Sequence, residues 1–92
     1  MNREQPAYVF SLNLEDGKKF VGITTNPERA VSQHFSGNGT AWTQEHAPVS
    51  VNSVQACKNV DAAFAAENAI YRNMSNYHGA DNVRDARRNG SS

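Results

Sequence analysis

The feature that most constrains this chain is the pair Asp16-Gly17, set between two alternating apolar runs. A two-residue hairpin of the favoured hand needs positive φ at both central positions, and Asp-Gly accepts that geometry at little cost. The run before it, residues 8–14, reads as a first strand. The run after it, residues 19–23, reads as its antiparallel partner. Asn26-Pro27-Glu28 then opens a helix over 27–35. Asn caps, Pro needs no N–H in the first turn, and Glu suits the positive end of the dipole. Strand, tight turn, strand, helix is the frame onto which the remaining residues must pack.

The rest of the chain divides by pattern. Ser36-Gly37-Asn38-Gly39-Thr40 is a loop whose glycines stop the first helix. It lacks the spacing and the lysine of a phosphate-cradling loop. Trp42 and His46 suit a short helical turn. Residues 49–57 alternate apolar and polar and read as a third strand. Asn59 caps a longer helix over 60–76, with Val60, Ala63, Phe64, Ile70, Tyr71 and Met74 on one face. The expectation is an α+β fold: a small three-stranded antiparallel sheet flanked by helices. Residues 1–6 read as a flexible arm, 7–84 as the domain, and 85–92 as a polar tail, with polar sequence from His78 onward.

Size and charge bound the function. Ninety-two residues make one domain with a modest core. Nine basic against nine acidic residues give zero net charge. Dedicated DNA binders usually carry a basic excess, because phosphate neutralisation supplies most of their affinity. The single cysteine, Cys57, excludes an intrachain disulfide, holds no metal site by itself, and suits a reducing compartment. No apolar run approaches the ~18 residues of a membrane span, and residues 1–6 lack the apolar core of a signal peptide. An intracellular protein without a membrane partner is expected.

Several residues together resemble the GIY-YIG nuclease family. They are Val9-Phe10, Phe20-Val21-Gly22, Thr24-Thr25-Asn26-Pro27-Glu28-Arg29 and His34-Phe35, then Gly37-Asn38-Gly39-Thr40-Ala41-Trp42-Thr43, His46, Pro48, Glu67 and Asn82-Val83-Arg84. Their order and spacing cover residues 7–84. The resemblance implies a small antiparallel sheet with helices and metal-dependent cleavage of DNA phosphodiesters. It places the family's two motif tyrosines on Phe10 and Phe20 and its catalytic arginine on Ala30. His34, Glu67 and Asn82 match the family's remaining site positions, Glu67 as the single metal-binding carboxylate. One carboxylate plus substrate phosphates suits Mg²⁺, which keeps most of its waters.

The residues also support plainer readings. A phenyl ring neither donates nor accepts a proton, so Phe10 and Phe20 read as core. Tyr8 shares Phe10's face but sits about 6.6 Å along the strand, beyond the reach of a displaced hydroxyl. Arg29 lies ~100° around the helix from Ala30 and cannot replace the lost arginine. His34 suits a satisfied core position as well as a phosphate contact. Glu67 falls on the apolar stripe, where a carboxylate is costly unless paired, metal-bound or at the stripe's edge. Asn82 could tie the C-terminal segment to the sheet. Trp42, Lys19 and Arg84 are candidate nucleic-acid contacts, with loop anchoring the favoured role of Trp42, and Asp81 and Asp85 dilute the basic residues. Two functions follow. One is a degenerate family member, kept as a binding or structural module, with a protein assembly as first partner and DNA second. The other is an active endonuclease using Mg²⁺ on Glu67.

Overall fold

The structure is a computed structural model that describes residues 5–85. Strand β1 spans Ala7–Leu14 and β2 spans Lys19–Thr24. They pair antiparallel, with Phe10 opposite Gly22 and Leu12 opposite Phe20. Asp16 and Gly17 both take positive φ, 64° and 72°, as the Asp-Gly signal requires. Lys18 N–H closes the turn on the Glu15 carbonyl.

Helix α1, Pro27–Phe35, is capped by Asn26, whose Oδ1 accepts from Arg29 N–H at 3.1 Å. A short α2, Ala41–Glu45, holds Trp42, with Thr40 as its cap. Strand β3, Pro48–Cys57, pairs antiparallel with β1, and α3 runs Val60–His78 from an Asn59 cap. Each of the expected elements is present, within a residue or two at its ends.

Two expectations are corrected. The sheet has four strands in the order β3-β1-β2-β4, not three antiparallel ones. The added β4, Val83–Asp85, runs parallel to β2, with Lys19 opposite Val83 and Val21 opposite Asp85. Within the polar sequence beyond His78, Ala80–Asn82 form a short turn and Val83–Asp85 join the sheet. Val83 and Asp85 are both fully buried, so Asp85 belongs to the sheet. Three residues with one apolar side chain are too few to show a period. Residues 1–4 of the expected arm and 86–92 of the expected tail lie outside the described residues.

The sheet separates two cores. Ala7, Val9, Val21 and Val83 pack with Ala63, Ala66, Ile70, Tyr71 and Met74 of α3. Phe10, Leu12, Leu14 and Phe20 pack with Ala30 and Val31 of α1 and Trp42 of α2. Alternate strand residues feed opposite faces, so one hairpin serves both cores. The α3 stripe is narrower than its sequence suggests: Val60 and Phe64 are 42% and 38% exposed. No helix among the described residues is long and apolar enough to cross a membrane.

Candidate functional site

The hairpin and α1 bring four of the candidate residues together. The Phe10 and Phe20 ring centroids are 6.1 Å apart, and the His34 ring lies 5.7 Å from the first and 4.8 Å from the second. Ala30, one turn before His34 on α1, packs against the same group. Gly22 makes this convergence possible. A Cβ there would stand 2.6 Å from Phe10 Cζ and 3.0 Å from Phe20 Cε2. The glycine of the second motif is thus required by two rings folding over its bare backbone.

His34 is fixed by residues that the sequence reading did not single out. Its Nδ1 lies 2.9 Å from Thr43 Oγ1, and that hydroxyl donates to the Thr40 carbonyl at 3.2 Å. With the threonine proton so used, His34 is assigned as the donor from Nδ1, and Nε2 carries the free lone pair. Burial holds its pKa below the ordinary 6.5, so the ring is neutral near pH 7. Gly39 is the second glycine with a steric duty, because a Cβ there would run into His34 Nδ1 and Thr43 Oγ1. The sequence signal for this pair was faint: a threonine three residues after a threonine cap.

A second group forms where the hairpin meets β4. Lys18 Nζ donates to Asn82 Oδ1 at 2.7 Å, and Asn82 Nδ2 donates to the His78 carbonyl at 2.6 Å. Asn82 therefore ties the end of α3 to the hairpin. Trp42 Nε1 donates to the Lys19 carbonyl at 2.9 Å. The Arg84 guanidinium sits 4.5 Å from the indole centroid, and His46 meets the indole edge-on at 4.5 Å. Lys19 Nζ donates to Asn13 Oδ1, and Arg84 Nη1 donates to the carbonyls of Ala80 and Val83. All three residues expected to touch nucleic acid have partners within the chain, and Trp42 anchors α2 to the sheet.

Glu67 sits in the middle of α3 and is 2% exposed. Its Oε2 is buried from solvent. Among the described residues, no three His, Cys, Asp or Glu side chains gather as a metal cluster. Mg²⁺ binds through one or two carboxylates while keeping several waters. A carboxylate oxygen shut off from solvent does not fit such a hydrated ion as the side chain stands.

An antiparallel hairpin of this motif spacing, its glycine under two aromatic rings and a histidine facing them from α1, defines a GIY-YIG domain. The family model described as the GIY-YIG catalytic domain matches residues 6–79, and the chain belongs to that family. Its similar relatives carry the name UPF0213. One from Streptococcus pneumoniae serotype 4 is 30% identical over 69 residues, covering 75% of this chain and 70% of the relative. One from Natronomonas pharaonis is 33% identical over 63 residues, 68% of this chain and 74% of its own. One from Cupriavidus pinatubonensis is 32% identical over 72 residues, 78% and 80% of the two chains. No solved structure matches the chain.

Proposed function

We propose that this chain is a GIY-YIG domain that has lost strand cleavage and is retained as a binding module in a protein assembly, with nucleic acid as a secondary contact. The observation that carries this reading is the apolar filling of the motif pocket. Phe10 and Phe20 are 2% and 1% exposed, in ring contact with His34, and the sequence resemblance sets Ala30 against the family's arginine. Neither phenyl can take a proton from water, and alanine cannot hold a phosphate. Loss of a general base typically costs ~10²-fold or more, and loss of an electrostatic stabiliser a similar factor. The solvent-shielded Glu67 supports the same reading. So do zero net charge and the hydrogen bonds that Lys18, Lys19 and Arg84 make within the chain.

One observation favours the second reading, an active endonuclease. His34 is neutral, and its tautomer leaves Nε2 as an acceptor beside the lost tyrosine positions. That nitrogen could serve as proton acceptor in place of the missing hydroxyls. The two readings separate in one assay. Supercoiled, linear and branched DNA are incubated with the purified chain and Mg²⁺ or Mn²⁺. No cleavage above background is expected. Nicking that disappears in Glu67→Ala would refute loss of activity and establish the second reading.

A further inference from the structure

Strand β3 is the most exposed strand among the described residues. It stands at one edge of the sheet, and β1 is its only strand partner among the described residues. It is ten residues long, and its sequence, Pro-Val-Ser-Val-Asn-Ser-Val-Gln-Ala-Cys, carries no charge. Edge strands are normally blunted with lysine, proline or an inward charge, since their free N–H and C=O groups template pairing with another chain. Here the only proline stands at the first position. Val49, Val51 and Val54 are 62%, 43% and 49% exposed. Val54 also closes a groove of about 430 Å³ formed with Pro27, Glu28, Val31, Ser32 and Phe35, and Phe35 is 44% exposed.

The register of β3 shows which strand would fit. Phe10 faces Val54 and Leu12 faces Val51, with a register shift between Ser11 and Leu12 that leaves Asn52 as an extra residue. The shift puts Val51 and Val54 on the same face, the α1 face, although an unbroken strand would set them on opposite faces. Ser53 lies opposite Ser11, and Asn52 Nδ2 donates to Ser11 Oγ, so both turn toward the other face.

The same strand taken from a second copy and run antiparallel can be centred between Asn52 and Ser53. Val51 then meets Val54 of the second copy, Asn52 meets Ser53, and Ser50 meets Gln55; a second register shift, between Asn13 and Leu14, leaves Val49 as an extra residue and ends the match at Ser50. Because of the shift, each of these pairs joins residues on matching faces. An isologous contact must be self-complementary in this way, and an uncharged strand meets its copy without repulsion.

We infer that β3 pairs with β3 of a second copy, joining two four-stranded sheets into one continuous sheet with Val51 opposite Val54 and the two α1 helices on the same side. This goes beyond the binding-module reading and does not depend on whether DNA is cut. One strand and the rim of one helix form a contact smaller than a stable dimer's usual ~800 Å² per partner, so the dimer is weak and reversible.

Sedimentation velocity from about 5 to 500 µM, without DNA or metal, tests it. The wild-type mass should rise with concentration toward twice the monomer. Val51→Lys should hold the chain monomeric throughout the range, with unchanged circular dichroism showing that it folds. Register is read by Ser50→Cys with Gln55→Cys in a Cys57→Ser background. Paired residues lie 4.5–5.5 Å apart, within disulfide reach, whereas the same two positions within one strand are about 16 Å apart. Mild oxidation should yield a covalent dimer. A wild-type chain that stays monomeric at 500 µM, or a dimer that Val51→Lys leaves intact, overturns the inference. A dimer that forms but does not cross-link at these positions overturns the register.

Discussion

Replacing Gly22 with alanine tests the packing that closes the motif pocket. In most strands, glycine to alanine stabilises, by roughly 0.5–1 kcal/mol, because alanine loses less backbone freedom on folding. Gly22 is not among the residues with positive φ, so an alanine backbone fits there. The obstacle is steric. The new Cβ would stand 2.6 and 2.8 Å from Phe10 Cζ and Cε1, and 3.0 Å from Phe20 Cε2. Ring tips can swing when exposed, but these rings are 2% and 1% exposed and are backed by His34 at 5.7 and 4.8 Å. Overpacking of this kind costs about 1–3 kcal/mol. Set against the backbone gain, Gly22→Ala should destabilise by about 0.5–2 kcal/mol. For a domain of this size, 1 kcal/mol corresponds to roughly 4–8 °C in Tm. Urea unfolding with linear extrapolation gives the same difference independently. The cause is isolated by repeating the change in a Phe10→Leu background, which removes the closest contact. There the penalty should shrink by at least about 0.5 kcal/mol. A Tm for Gly22→Ala equal to or above wild type would refute the claim that the rings are wedged over this glycine.

Two further outcomes concern His34. Thr43→Val removes the partner of its Nδ1 and leaves a buried donor unsatisfied, so stability should fall by about 1–3 kcal/mol in a urea titration; a neutral result would show that the pair contributes nothing. Burial lowers the folded-state pKa of His34 below 6.5, so the unfolded chain binds the extra proton first as pH drops. This contribution to stability is complete above pH 6.5 and is lost as pH falls below it toward the folded pKa, with a slope of at most about 1.4 kcal/mol per pH unit for one proton. His34→Gln should flatten the melting profile in that window, and an unchanged slope would place the titration elsewhere.

The hairpin, both long helices and the family were legible in the sequence because their signals are local. Asp16-Gly17 sets the turn between two apolar runs, and Asn26 and Asn59 supply caps. The positions of Phe10, Phe20, Ala30 and His34 followed from motif spacing, and the hairpin register then made Phe10 and Gly22 neighbours. Only the tertiary structure decided the rest. β4 is three residues held by pairing with a strand more than sixty positions earlier, a contact that leaves no period in its own sequence. The threonine that fixes the His34 tautomer comes from a separate helix. The candidate cations Lys19 and Arg84 have partners within the chain, because Lys19 reaches Asn13 across the hairpin and Arg84 covers Trp42 once β4 meets β2. Whether alternating valines face a core or solvent depends on strand order, and β3 was left at the edge because β1 and β2 lie between it and β4. Sequence determines which local pieces form; the sheet order decides which of their faces stay open.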